Sequence, residues 1–265
     1  MNQKAFQEAC EKFSGGVEPC GGIVNIQRSI VHAQRSIVNV QRSIGTLGEK
    51  TLHAVLKRYL EPDEACHEIK VASFVADIVT DGGIIEIQTR AFDRLRKKLA
   101  CFLEHSEVTV VYPIPKTKWL LWIDEETGQT TKKRKSPKQG SIYDVVPELT
   151  KIEQLLCHPN FRLCLLFIDM EEYRFLNGWS KDKKKGSTRC NRIPVALVEE
   201  VFIRNTAEYI KFVPVGLKEP FTSKDYQKAA KIRLRTAQTA LRILHHLQIL
   251  KRVGKQGNSH LYERS

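Results

Sequence analysis

The sequence predicts an α/β protein with a mixed central sheet flanked by helices, followed by a smaller C-terminal module. Short apolar runs with strand spacing occur between residues 75 and 123, and segments with helical spacing of apolar residues precede and interrupt them. Residues 219–265 then combine two helical segments with a terminal hairpin pattern. With 265 residues, the chain is long enough for two compact domains.

Residues 1–44 are predicted to form an N-terminal arm that contains an internal repeat. Three seven-residue units begin at Ile23, Ile30 and Ile37, and each ends in Gln-Arg-Ser. On a helix these β-branched residues would occupy the a positions of a two-stranded coiled coil, which predicts a homodimer. The near-identity of the units also fits a recent tandem duplication that leaves a loosely ordered arm. The two interpretations are compatible, because three heptads make a marginal helix.

Two amphipathic helices are predicted on either side of the first strands. The first covers residues 48–60, and its apolar positions have helical spacing: Leu52, Val55, Leu56 and Tyr59. The second covers residues 91–104, and its inward positions are Phe92, Leu95, Leu99 and Phe102. Each helix therefore has one face to bury against a sheet.

Residues 75–89 are predicted to form a β-hairpin between these helices. Two apolar strands are joined by Asp81-Gly82-Gly83, and glycines supply the positive φ of a tight turn. Asp77 lies on the first strand, and Glu86 and Gln88 lie on the second, where alternate residues share a face. An apolar hairpin has no structural reason to place these polar groups on one side. The two carboxylates therefore predict a site for a hard divalent cation.

The middle of the chain alternates apolar segments with two basic loops. Strands are predicted over residues 108–112, 119–123, 162–175 and 209–215, and helices over residues 142–157 and 194–205. The loops cover residues 124–139 and 178–189. The second loop holds an aromatic residue beside a lysine run, Trp179 followed by Lys183, Lys184 and Lys185. This combination fits a nucleic-acid backbone with a stacked base, and a solvated surface loop is the alternative.

The order of helix, hairpin, helix and strands over roughly residues 45–125 resembles the PD-(D/E)XK nuclease superfamily. That family carries a Glu on its first core helix, an Asp at the start of the hairpin and Glu-x-Lys on the next strand. Four residues fall on those places: Glu49, Asp77, Glu86 and Gln88. The resemblance implies a restriction-endonuclease-like fold and an endonuclease that hydrolyses phosphodiester bonds in DNA with Mg²⁺ or Mn²⁺.

The resemblance also implies a role for each site residue. Asp77, Glu86 and the main-chain carbonyl of Ile87 would bind the metal, which would lower the pKa of a bound water and polarise the phosphate. Gln88 would position that water. Glu49 would bind a second metal or order its water shell. In the alternative interpretation Asp77 caps the turn, and Glu86 and Gln88 face solvent.

One departure from the family pattern concerns catalysis. The family's lysine is Gln88 in this chain, and a glutamine can hold a water but brings no positive charge. Arg90 and Lys97 are nearby candidates for the missing charge. Because some members with altered motifs are inactive, a catalytically inactive DNA-binding or regulatory protein is the alternative function.

The C-terminal segment resembles a winged helix-turn-helix module. Thr222 or Ser223 begins a first short helix, Thr236 begins a second, and a hairpin with a basic Gly-rich tip follows. The resemblance implies DNA contacts from the second helix and the wing: Arg235, Gln238, Thr239, Arg242, Lys251, Arg252 and Lys255. The alternative is a module that makes protein contacts or packs on the core. The predicted domains are thus residues 1–44, 45–218 and 219–265.

Composition limits the partners and the compartment. A net charge of +13 and a pI near 9.4 favour a polyanion, DNA more than RNA, although solvated lysines are the alternative. The seven cysteines are an odd number without a Cys-x-x-Cys pair, which argues against a disulfide framework or a structural zinc site. The sequence lacks a signal-peptide pattern and a membrane-spanning stretch, so we expect a reducing cytoplasm.

Overall fold

The computed structural model describes residues 2–13, 44–124, 127–177 and 188–265, without the side chains of residues 13 and 44–50. Over these ranges the protein is α/β, with a mixed sheet flanked by helices, which confirms the predicted class. The repeat that predicted a coiled coil and a homodimer lies outside the described residues.

The main sheet is assembled mostly from neighbouring segments of the chain. Its strands are β1 (His67–Val71), β2 (Phe74–Thr80), β3 (Gly83–Ile87), β4 (Val108–Ile123), β5 (Arg134–Lys135), β6 (Phe161–Phe175) and β7 (Thr188–Ile203). Their order is β1-β2-β3-β4-β6-β7, and β5 pairs with β4. β2 is antiparallel to β1 and β3, whereas β3 and β4 are parallel. The parallel pair requires a crossover, which the second predicted helix supplies.

Six α-helices and a C-terminal hairpin complete the described residues. They are α1 (Gln3–Phe13), α2 (Ile44–Leu60), α3 (Arg96–Leu103), α4 (Val146–Leu149), α5 (Ser223–Ala230) and α6 (Leu234–His246), followed by β8 (Leu250–Gln256) and β9 (Ser259–Arg264). A 3₁₀ turn, Phe92–Leu95, leads into α3, and all four predicted inward positions of this segment are buried. Among the described helices, none combines the length and the apolar sequence needed to cross a bilayer.

The described chain divides into two compact units, each built from three segments. Unit 1 contains Met1–Ala65, Pro115–Gly140 and Phe167–Glu199. Unit 2 contains Cys66–Ile114, Ser141–Leu166 and Glu200–Ser265. Helices α1 and α2 belong to unit 1, and the β2–β3 hairpin and the C-terminal helices belong to unit 2. The domain boundaries expected from the sequence stay predictions.

The β2–β3 hairpin in unit 2 depends on one glycine. Thr80 pairs with Gly83 across the turn, and Gly83 has a φ of 117°. A Cβ at this position would lie 2.4 Å from the carbonyl oxygen of Glu107, closer than atoms can pack. The next residue, Ile84, donates its backbone N–H to that same oxygen at 2.8 Å. The turn is therefore held against the start of β4, which fixes where β3 begins.

Two secondary-structure predictions are wrong. Residues 194–205 were predicted as a helix, but β7 continues to Ile203. The buried positions Pro194 and Leu197 are three apart, so the segment has helical spacing although it pairs as a strand. Residues 209–215 were predicted as a strand, but Thr206–Phe212 form a 3₁₀ helix. Its buried aromatic residues are also three apart, which is the repeat of that helix.

The C-terminal segment begins with a capped helix, as predicted. The Thr222 hydroxyl accepts the backbone N–H of Asp225, and the Asp225 carboxylate accepts the backbone N–H of Thr222 at 2.9 Å. Phe221 exchanges two backbone hydrogen bonds with Tyr262 on β9, each 2.9 Å long. The second helix, α6, buries an apolar stripe: Ala237, Ala240, Leu241, Ile243 and Leu244. The order of helix, helix and hairpin is therefore the one expected from the sequence.

Candidate functional site

The β2–β3 hairpin places Asp77 opposite Glu86. The paired residues are Ile78 with Ile85, Val79 with Ile84 and Thr80 with Gly83, so the next opposed positions along the strands are 77 and 86. Opposed residues in an antiparallel pair project to the same face. The structure therefore brings together the two carboxylates that the sequence singled out.

The two carboxylates bridge the strands where this ladder ends. The backbone N–H of Asp77 donates to Glu86 Oε1 at 3.2 Å. The backbone N–H of Ile87 donates to Asp77 Oδ2 at 2.8 Å. Each carboxylate thus accepts a main-chain hydrogen from the strand opposite its own. These bonds hold both side chains in place, because a rigid strand supplies each donor.

Lys98, on α3, pairs with the buried carboxylate. Its Nζ lies 2.5 Å from Glu86 Oε2, and the side chains of Lys98 and Glu86 are 16 % and 2 % exposed. The ammonium also lies over the Phe102 ring, 5.7 Å from its centroid. The sequence analysis missed this residue and named Arg90 and Lys97, both of which are exposed. The sequence contained an indication of Lys98, because helical spacing places it on the same inward face of α3 as Phe102.

The pKa of Glu86 is raised from an ordinary 4.5 to about 7, and burial is the largest cause. The negative charge of Asp77 also contributes to this rise, and Lys98 opposes it through a hydrogen bond and its charge. Near neutral pH this carboxyl is therefore divided between its protonated and ionised forms. A second cation close to the two acids would stabilise the ionised form, so the electrostatics fit a cation site.

Ile87 and Gln88 lie at the end of β3, beside these acids. The backbone N–H of Gln88 donates to the Val111 carbonyl of β4 at 2.9 Å. Since main-chain groups alternate along a strand, the N–H and C=O of Ile87 point away from β4, towards β2. The Gln88 side chain donates from Nε2 to the Arg90 carbonyl at 2.6 Å. Its amide oxygen is left as the acceptor for a water.

The ligand set suits a cation that keeps part of its water shell. Among the residues that the structure describes, no group of three or more His, Cys, Asp and Glu side chains is placed to hold a metal ion. Mg²⁺ is commonly held by one or two carboxylates and keeps several waters. Asp77, Glu86 and the Ile87 carbonyl offer oxygen atoms, the type of ligand that Mg²⁺ and Mn²⁺ prefer.

Some predicted site residues fall outside what the structure describes. Glu49 lies on α2, in unit 1, but its side chain is outside the described residues. Lys183, Lys184 and Lys185 also lie outside them. The roles of these residues stay predictions.

Three of the four predicted DNA-reading residues of α6, all except Gln238, border a cleft within unit 2. Its lining comes from two parts of the chain: Pro147, Thr150, Arg235, Thr236, Thr239 and Arg242. Arg242 pairs with Glu153 at 2.7 Å, and the Thr239 hydroxyl donates to the Arg235 carbonyl at 2.8 Å. Gln238 is exposed. On α6, therefore, Arg235, Gln238 and Arg242 are all exposed, and Arg242 is also engaged in an ion pair.

The wing residues are exposed at the C-terminal hairpin. Lys251 pairs with Glu263 at 2.9 Å, and Arg252 lies over the Tyr262 ring at 5.9 Å. Lys255 lies near the tip and is exposed. Three cations on one short hairpin form a basic surface that can contact phosphates.

A family model described as Domain of unknown function (DUF8091) matches residues 50–204. The chain belongs to this family. The DUF8091 region includes Asp77, Glu86 and Lys98, and it ends before the two C-terminal helices. An uncharacterized protein of Treponema pallidum (strain Nichols) is 28 % identical over 228 residues, which cover 83 % of this chain and 87 % of the relative. No solved structure matches this chain.

Proposed function

We propose that this protein is a metal-dependent DNA endonuclease with a restriction-endonuclease-like core of the PD-(D/E)XK type and a C-terminal winged helix module. The observation that supports this most is the meeting of Asp77, Glu86 and Lys98 where the β2–β3 ladder ends. Two acids and one cation at a hairpin end supply the ligands and the positive charge that phosphodiester hydrolysis requires.

Asp77, Glu86 and the Ile87 carbonyl would hold the cation in this proposal. Once bound there, it would supply Lewis-acid polarisation of the phosphate and would lower the pKa of a bound water. The backbone N–H groups that contact both carboxylates keep these ligands oriented before substrate arrives. Gln88 accepts a hydrogen bond from the attacking water through its amide oxygen, because its NH₂ group already donates to Arg90.

Lys98 takes over the electrostatic role that Gln88 cannot fill. It brings a positive charge from α3 to the same carboxylate pair, with an Nζ–Oε2 distance of 2.5 Å to Glu86. Its half-buried position strengthens its interaction with a developing negative charge, since the local dielectric constant is lower than in water. The lysine of the family motif is therefore replaced in function by a residue ten positions later in the chain.

The C-terminal module positions DNA in this proposal. The exposed residues Arg235 and Gln238 on α6 read bases, and Lys251, Arg252 and Lys255 contact phosphates. The net charge of +13 supports a polyanionic substrate, and DNA is proposed over RNA.

Cleavage of plasmid and single-stranded DNA, in Mg²⁺, Mn²⁺ or EDTA, tests the proposal. We expect cleavage with either metal, none in EDTA, and a fall of about 1,000-fold in Asp77→Asn. Asp81→Asn is the matched control, because Asp81 is an exposed acid in the turn of the same hairpin. Cleavage in EDTA, or equal loss in both variants, would overturn the assignment.

A DNA-binding protein without nuclease activity is the second candidate, favoured by the glutamine at position 88. Salt-dependent DNA binding without cleavage in either metal would select it. Gln88→Lys then distinguishes a weakened enzyme from an inactive one. If the missing lysine alone limits the rate, this variant cleaves at least as fast as the unaltered chain.

A further inference from the structure

A second buried carboxylate, Glu172 on β6 in unit 1, is surrounded by cations. Lys118 Nζ lies 3.1 Å from Glu172 Oε2, and Arg192 Nε lies 3.3 Å from the same oxygen. Arg174 Nε donates to Oε1 at 2.7 Å, and Arg189 Nε lies 3.7 Å from Oε2. These residues come from β4, β6 and β7 and form what we call the Glu172 cluster.

The charges of the Glu172 cluster are unbalanced. Burial alone would raise the pKa of Glu172, but the surrounding cations lower it to about 2, so the carboxylate is ionised at any ordinary pH. Burial lowers the pKa of Lys118, Glu172 opposes this through its charge and a hydrogen bond, and the charges of Arg192 and Arg174 lower the pKa further. Four cations thus lie around Glu172, and their positive charges repel one another.

A purely structural ion pair needs less positive charge than this. In the same unit, Lys133 and Glu171 form a one-to-one pair at 2.5 Å. The cations of the Glu172 cluster also reach solvent, since their side chains are 15 to 37 % exposed, whereas Glu172 is 0 % exposed. A ligand that approaches this surface meets guanidinium and ammonium groups before it meets the carboxylate.

We propose that the Glu172 cluster is a phosphate-binding site and that its ligand is the backbone of a nucleic acid. Guanidinium groups match the geometry of phosphate oxygens, and an added anion relieves the repulsion among the four cations. Glu172 is a positioning residue, because it holds the guanidinium groups of Arg174 and Arg192 and is itself covered. The net charge of +13 favours a polyanion over a small monovalent ligand.

Binding of a labelled DNA oligonucleotide to the full chain, measured by anisotropy in EDTA across a salt series, tests the site. We expect Lys118→Gln and Arg192→Gln each to weaken binding about 3- to 10-fold and to reduce the salt slope by about one. Each variant leaves three cations around Glu172, so the fold is expected to persist. Lys4→Gln is the charge-matched control in unit 1, because Lys4 is 89 % exposed on α1, and it should stay within about 2-fold.

Thermal unfolding with inorganic phosphate, compared with chloride at equal ionic strength, separates the two sources of phosphate. A nucleic-acid site is supported by three results together. Phosphate stabilises the unaltered chain, Arg192→Gln loses this stabilisation, and the unaltered chain binds the oligonucleotide. Stabilisation without oligonucleotide binding assigns the site to a free oxyanion and overturns the nucleic-acid ligand. Equal losses in Lys118→Gln, Arg192→Gln and Lys4→Gln overturn the site itself. Because both assays run in EDTA, the result is independent of whether the protein cleaves DNA.

Discussion

Glu86 in unit 2 and Glu172 in unit 1 are the same residue type at nearly the same burial, 2 % and 0 % exposed. Their pKa values nevertheless move in opposite directions from 4.5, to about 7 for Glu86 and to about 2 for Glu172. Burial raises both. The difference comes from their neighbours, which are another acid and one lysine around Glu86, and four cations around Glu172.

The comparison shows that local charge balance, rather than burial, determines what each site attracts. We therefore expect an added cation to stabilise the pair formed by Asp77 and Glu86. We expect an added anion to stabilise the Glu172 cluster. Together the two proposals assign a metal ion and a phosphate-containing substrate to this protein.

The largest expected effect comes from removing Lys98, the cation that pairs with Glu86. Lys98→Met should reduce metal-dependent cleavage about 100- to 1,000-fold, because one positioned charge at the phosphate is lost. The measurement is the single-turnover cleavage rate in Mg²⁺. Lys97→Met removes the same charge one residue away, at an exposed position, and should stay within about 2-fold. Similar rates in the two variants would mean that Lys98 has no electrostatic role in cleavage.

The next largest effect is a loss of stability when Glu172 is removed from the Glu172 cluster. The pKa of Glu172 is lower in the folded state, so its ionised form stabilises the fold above pH 4.5, and this contribution is lost as the pH falls towards 2. Glu172→Gln should therefore lower the free energy of unfolding by about 3 kcal/mol at pH 7. Urea denaturation measures it. If Glu172→Gln were as stable as the unaltered chain, the Glu172 carboxylate would not be stabilising the cations around it.

Glu86→Gln should raise the free energy of unfolding, whereas Glu172→Gln lowers it. The pKa of Glu86 is higher in the folded state, so the contribution of its protonated form is complete below pH 4.5 and is lost as the pH rises through about 7. Without metal, Glu86→Gln should raise the free energy of unfolding at pH 8 by about 1–3 kcal/mol. Urea denaturation in EDTA at pH 5 and pH 8 gives the comparison. Destabilisation at pH 8 would mean that Lys98 already balances the charge of both acids.

The smallest effect is expected at a carboxylate with one partner. Glu153 pairs with the exposed Arg242 at 2.7 Å, and such pairs contribute about 0–1 kcal/mol. Glu153→Gln should leave stability within that range and should tighten DNA binding about 2- to 3-fold, because Arg242 is released for phosphate or base contacts. Anisotropy in EDTA measures the affinity. Weaker binding would mean that the ion pair orients α6 for DNA rather than competing with it.

The hairpin site was predictable because its determinants are local. The Asp81-Gly82-Gly83 turn fixes the register of two short strands, and that register places Asp77 opposite Glu86. Helical spacing places Lys98 on the same face of α3 as Phe102, but it does not identify Glu86 as the residue that this face contacts. The Glu172 cluster was missed for a similar reason. It joins residues from three strands, with Lys118 54 positions before Glu172, and alternation within one strand gives no information on partners across a sheet.

The segment from residue 194 to residue 205 shows that local spacing also fails to predict some secondary structure. Its buried positions have helical spacing, but its backbone forms part of β7, which pairs with β6. Sheet order, too, depends on such long-range pairing. By contrast, the capping box of Thr222 and the apolar stripe of α6 are local features, and the sequence predicted both elements.

Calorimetric titration with Mn²⁺ tests the central claim, the cation site at Asp77 and Glu86, most directly. The full chain should bind about one Mn²⁺ at this site, with affinity that rises between pH 6 and pH 8 and with proton release near pH 7, because Glu86 must ionise to bind. Glu86→Gln should lose this binding, and Asp81→Asn should retain it. Mn²⁺ binding that is unchanged in Glu86→Gln, or independent of pH over this range, would contradict the claim.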